Sequence, residues 1–78
     1  MGIGNSIDND IKQVCKWYIG VRLFSWTVQE LTNELSRIIT GEFQVTVIQS
    51  EEKMVEWFYV KKIVIKFGNG NELIVGGD

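Results

Sequence analysis

The side chains with the most obvious capacity for recognition sit close together in the second half of the chain. Trp57 and Tyr59 are two residues apart, so on a β-strand they share one face, and Lys61, Lys62 and Lys66 follow within a few residues. Aromatic rings with a lysine rim suit a protein interface, where rigid apolar area supplies affinity and charge steers the encounter. The same types on a sheet can also stack single-stranded bases while lysines hold phosphate. Other candidates are weaker. Glu30 and Glu34 stand one helical turn apart, but no further ligand or base lies near them in sequence, and a solvated helix face explains them. The chain has one cysteine, Cys15, and no histidine, which leaves almost nothing for a tetrahedral metal site and no ordinary group that titrates near neutral pH. No G-x-S-x-G, Walker or Rossmann glycine pattern occurs. The runs Gly68-Asn69-Gly70-Asn71 and Gly76-Gly77 do not join a strand to a following helix, as a phosphate-cradling loop must. These observations point away from an enzyme and imply no cofactor.

Seventy-eight residues with 45% apolar and 23% charged side chains make one small folded domain, residues 1–78, with flexible ends expected at 1–5 and 77–78. A chain this short buries only about 60% of the surface it exposes when unfolded, and with no internal disulfide available the remaining reinforcement is a partner or a second copy. The formal charge is −2, too little to draw the whole molecule to nucleic acid or anionic lipid. Residues 1–40 carry four bases and four acids, whereas 41–78 carry four bases and six acids. The longest apolar stretch, residues 17–26, is too short to span a bilayer and contains Arg22. With no basic-then-apolar leader pattern, a soluble cytoplasmic protein is expected. Met1-Gly2 with Ser6 matches a myristoylation pattern, but no polybasic segment follows and Asp8 and Asp10 oppose anionic lipid. A glycine-rich entry to a helix is the plainer reading.

The elements follow from periodicity. Asn5 or Ser6 can cap a first helix whose apolar residues Ile7, Ile11, Val14, Cys15, Tyr18 and Ile19 fall on one face, with Gly20 as the stop. Cys15 lies on that face and reads as a small core residue. Residues 21–26 fit a short strand, a continuation of the helix or an apolar connector, and are read as a loop. Thr27 with Glu30 then forms a capping box, flanked by Trp26 and Leu31 as a hydrophobic staple, and opens a second helix running to about Ile39 with Val28, Leu31, Leu35, Ile38 and Ile39 inward. Gly41 closes it.

From Phe43 the period becomes two. A hairpin centred on Glu51 and Glu52 would set Phe43, Val45 and Val47 opposite Val60, Phe58 and Glu56, with the long strand starting at Met54. At the far end, a loop Gly68-Asn69-Gly70 with Gly70 left-handed pairs Lys66 with Glu72, Ile65 with Leu73, Val64 with Ile74 and Ile63 with Val75. The apolar positions 58, 60, 63, 65 and 67 contain one step of three, which predicts a β-bulge at Lys61-Lys62. The fold class is therefore α+β, two amphipathic helices followed by a three-stranded antiparallel meander (α-α-β-β-β).

Both sheet faces are apolar in this reading. One carries Phe43, Val45, Val47, Phe58, Val60, Ile63, Ile65, Phe67, Leu73 and Val75; the other carries Ile48, Val55, Trp57, Tyr59, Val64 and Ile74. If both helices cover the first, the second is a partner surface at Trp57, Tyr59, Val64 and Ile74, rimmed by Lys62 and Lys66. The competing arrangement puts one helix on each face. The expected function is a small non-enzymatic module that binds a protein partner, a second copy (as a homodimer), or both. Size and lack of chemistry are shared with stoichiometric inhibitors and accessory proteins of phage and mobile elements. The alternative is single-stranded nucleic-acid binding through the sheet aromatics and the Lys61/Lys62/Lys66 cluster, against which stand the net acidity and the lack of an RNP-type motif.

Overall fold

The structure is a computed structural model that describes residues 3–51 and 58–77, with side chains described from Ile7 onward. Its order is α1 (Ile3–Tyr18), α2 (Ser25–Ser36), β1 (Phe43–Gln49), β2 (Val60–Phe67) and β3 (Glu72–Gly76). The three strands form one antiparallel sheet in the order β1-β2-β3. This is the α-α-β-β-β arrangement that the sequence predicts.

Each helix buries the stripe its spacing defines. On α1, Ile11 and Cys15 are fully buried and Val14 and Tyr18 half-buried, but Ile7 is exposed, so the stripe works only over about the last two turns. The helix begins at Ile3, ahead of the expected Asn5 or Ser6 cap, and Gly20 ends the turn after it with φ +84°, a conformation that favours glycine. Leu31, Leu35 and Ile39 form the buried line of α2 and the turn following it.

The start of α2 differs from the sequence reading. Phe24, not Thr27, is the N-cap, and Thr27 is the third helical residue. Phe24 has no side-chain acceptor to offer; the Thr27 hydroxyl reaches back instead, accepting from the Phe24 backbone N–H at 3.2 Å and donating to the Arg22 carbonyl at 3.3 Å. Those two bonds satisfy a hydroxyl that is fully buried, as a polar group in a core requires. Trp26 is thereby inside the first turn, and the staple positions become Leu23 and Val28.

Sheet register also differs at one end. β2 and β3 pair as predicted, Lys66 with Glu72 through Ile63 with Val75, and Gly70 has φ +94°. β1, however, sets Phe43, Val45 and Val47 opposite Phe67, Ile65 and Ile63, further along the long strand than a tight turn at Glu51-Glu52 allows. All three of these pairs are apolar, against two of three in the expected register. A longer connection costs little, since each doubling of loop length adds only about 0.6 kcal/mol. The expected start of the long strand at Met54, with Val55, Glu56 and Trp57, lies outside the described residues.

The bulge is where the spacing puts it. Ile48 faces Lys62 and Gln49 faces Val60, so Lys61 is the extra residue. Beyond it, residues 20–23, expected to be a loop, act as a short edge strand: Val60 donates to the Val21 carbonyl at 3.0 Å and accepts from the Gly20 N–H at 2.8 Å, and Leu23 donates to the Phe58 carbonyl at 3.0 Å. Tyr59 bonds the other way, accepting from Ser50 N–H at 2.8 Å. Residues 20–23 thus take over the edge that β3 leaves at Gly76.

Both helices pack on the same face. Ile11, Cys15, Leu31, Leu35 and Ile39 form one buried cluster with Val60, Ile63, Ile65 and Val75, and Phe43, Val45, Val47, Phe67 and Leu73 border it. The arrangement with one helix on each face is therefore ruled out. A one-sided core makes a sharp prediction in urea unfolding: Ile65→Ala should lose about 2–5 kcal/mol, whereas Ile74→Ala, on the opposite face, should lose under about 1 kcal/mol. Equal losses would contradict it. Gly76→Ala should also destabilise strongly, because its Cβ would lie 2.7 Å from the Lys61 carbonyl and 3.0 Å from Ile19 Cδ1 at φ +84°.

Candidate functional site

The uncovered face of the sheet is built by strand alternation, cross-strand pairing and the bulge at Lys61. With Ile63 and Ile65 inward, Lys62, Val64 and Lys66 of β2 must point outward, and pairing places Thr46 and Ile74 on either side of Val64, Gln44 and Glu72 on either side of Lys66, and Ile48 beside Lys62. Tyr59 directly precedes the buried Val60, on the far side of the bulge from Ile63, and so faces outward as well. Its relative exposure is 40%, that of Ile48 36% and that of Ile74 54%. Five of the six residues singled out from sequence, namely Tyr59, Lys62, Val64, Lys66 and Ile74, thus share this face. Trp57 lies outside the described residues.

The two lysines are not equivalent. Lys66 is exposed and opposite Glu72, so its ammonium can reach a ligand. Lys62 is half-buried, and its stem runs along the end of β3 so closely that a Cβ on Gly77 would lie 2.7 Å from Lys62 Cδ. Its aliphatic part extends the apolar patch while the charge stays at the margin. Lys61, the bulge residue, is exposed.

A second apolar surface escaped the sequence reading. Trp17 is 82% exposed on α1 and borders an open groove of about 540 Å³ with Val14, Tyr18, Glu34, Arg37 and Ile38. There the Tyr18 hydroxyl donates to Glu34 Oε2 at 3.1 Å. Burial, this bond and the negative charges of Glu34 and Glu30 raise the phenol to about 12. Trp17 falls outside the apolar spacing of α1, so periodicity does not single it out. Phe24 and Trp26 stack with centroids 5.6 Å apart and planes 12° from parallel, and both remain largely exposed. A groove of about 610 Å³ lies between the end of α2 and the start of β1, lined by Ser36, Glu42, Phe43, Lys66 and Phe67 among others.

Among the described residues, no group of three or more His, Cys, Asp or Glu is placed to hold a metal, and no helix is long and apolar enough to cross a membrane. Cys15 is fully buried and its thiol is pushed up by that burial to about 11, the opposite of an activated thiolate. The outer face offers uncovered aliphatic and aromatic area beside the exposed Lys66. No family model, curated protein or solved structure matches this chain.

The raised thiol has a consequence with a definite sign. The folded state holds the Cys15 proton more tightly than the unfolded chain, so its contribution to stability is complete below about pH 9 and is lost as pH rises through about 11. Stability measured against pH should fall over that window, and Cys15→Ala should flatten that part of the slope. An unchanged slope would show that the thiol is not held neutral by the fold.

Proposed function

We propose that the chain is a non-enzymatic protein-binding module that takes a protein partner on the outer face of its sheet, acting stoichiometrically in the manner of an inhibitor or accessory protein. The observation that carries this reading is the aliphatic and aromatic row of Ile48, Tyr59, Val64 and Ile74 on a face that neither helix covers. Side chains of this kind contribute nothing to the core cluster and gain free energy only when something else covers them, at about 25 cal/mol per Å² of apolar area removed from water. Tyr59 supplies a rigid ring with a hydroxyl at its tip, the type enriched where interfaces concentrate their energy. Lys66 at the rim favours a partner with acidic residues around an apolar centre.

The test is chemical cross-linking in extract of the source cell, with the intact protein compared with Tyr59→Ala and Ile74→Asp, each first shown to keep its helical and sheet signal. A specific protein should be retained by the wild type and by Trp17→Ala and lost with both outer-face variants. Retention by Ile74→Asp would exclude this face. Nucleic acid gives a different result: binding to a single-stranded oligomer at low salt, falling steeply with added salt and abolished by Lys62→Glu with Lys66→Glu, would replace the protein reading.

A further inference from the structure

The two edges of the sheet are unlike. β3 is only five residues long, opens on Glu72 and runs into Gly76 and Gly77 with φ +84° and +72°, so its backbone turns out of the strand path and offers little to a new strand. β1 is seven residues, Phe-Gln-Val-Thr-Val-Ile-Gln, with no charge, no proline and no glycine. The bulge belongs to β2, which leaves β1 regular along its free side. Natural edge strands are usually protected against pairing by charge, proline, bulging or shortness. β1 has none of these protections.

The direction of its backbone groups can be read from the ladder. Gly68 donates to the Glu42 carbonyl at 2.9 Å, and Phe67 bonds across to Asn71 on the other side at 2.8 Å. With the alternation of an antiparallel pair, Gln44, Thr46 and Ile48 bond to β2, and Phe43, Val45, Val47 and Gln49 present their N–H and C=O groups to the free edge. No backbone or side-chain partner for those groups occurs among the described residues.

We propose that β1 pairs antiparallel with β1 of a second copy about a two-fold axis at Thr46, joining two three-stranded sheets into one of six strands. This register uses the whole strand: Phe43 meets Gln49 of the partner subunit, and Val45 meets Val47 of the partner subunit, each pair exchanging two backbone hydrogen bonds. Thr46 meets its own copy as a non-hydrogen-bonded pair. The absence of charge makes the edge self-complementary, as an isologous contact needs, since a charged residue near the axis would face its own like. Phe43, Val45 and Val47 are half-buried along this edge and are covered further by the same residues of the second copy. The pairing is independent of the outer-face reading, because it uses the edge of the sheet and leaves both faces in place.

Sedimentation velocity over a concentration series, with circular dichroism as the fold check, tests it. The wild type should pass from monomer to dimer. Val47→Pro removes an N–H that points to the free edge and so spares the β1–β2 ladder; it should abolish the dimer and keep the fold. Thr46→Lys alone and Thr46→Glu alone should each weaken the dimer severalfold, and mixing the two should restore it as a heterodimer. Thr46→Cys should give a disulfide-linked dimer on mild oxidation, because a non-hydrogen-bonded pair brings Cα atoms to about 4.5 Å, within disulfide range; Gln44→Cys should not. A folded chain that stays monomeric at every concentration overturns the proposal, even if it captures an extended peptide along β1. So does a dimer that survives Val47→Pro or that Thr46→Cys fails to link. Ile74→Asp should leave the dimer intact, which separates failure of this proposal from failure of the outer-face reading.

Discussion

A β-strand turns successive side chains to opposite faces, and the long strand of this protein must nonetheless point Val60, Ile63 and Ile65 to the same side. An extra residue solves the problem, and Lys61 is that residue. With it, the segment that starts at Phe58 and the segment that ends at Phe67 contribute to a single core. Without it, either Val60 or the Ile63 and Ile65 pair would turn to solvent, and a domain of this size has no other apolar layer to replace them. The bulge also decides where β3 stops, since pairing with β3 ends at Lys62, and it exposes the backbone of residues 58–60 on that side for residues 20–23 to use. One inserted residue therefore sets the core, the length of an edge strand and the path of the chain between the helices.

The one-sidedness of the core follows from the helices being short and adjacent. α1 and α2 are joined by a connection that is itself hydrogen-bonded to the sheet at residues 20–23, so neither helix has the slack to reach round to the other face. Thr27 reinforces this: its buried hydroxyl ties the Phe24 amide to the Arg22 carbonyl and holds the corner where the chain leaves the sheet and enters α2. The outer face is organised by the strands alone, and its two lysines differ in surroundings: Lys66 stands exposed opposite Glu72, while the Lys62 stem lies along the end of β3.

Much of this was legible in the amino-acid order where local and long-range signals agree. The second hairpin has a glycine at its left-handed position and apolar or opposite-charge residues at the four pairs nearest the turn, so turn chemistry and pairing specify the same register. The bulge was legible because a step of three in a period of two has few other causes. The first hairpin was misread because a polar run at Ser50-Glu51-Glu52-Lys53 resembles a tight turn, while the pairing is chosen by three apolar partners further along the chain. The cap of α2 was misread for a different reason: Thr27 and Glu30 fit a capping box, but local bonds to the backbone of residues 22 and 24 claimed the threonine hydroxyl. The candidate surface was partly legible, since alternation together with the bulge at Lys61 and the pairing of the second hairpin puts Tyr59, Val64 and Ile74 on one face; Trp17 was passed over because a lone aromatic off a helical stripe has no periodicity to announce it.

The ties between residues 20–23 and 58–60 bear on how the chain assembles. The three strands meet in sequence order, so their pairings join neighbours and close short loops. The bonds of Val60 to Gly20 and Val21 join segments about 40 residues apart, and their loop entropy must be lost before they return any stability. By topology, then, the meander is the part with local contacts enough to form early. The end of α1 is fastened to the strand beyond the bulge by contacts that are long-range in sequence.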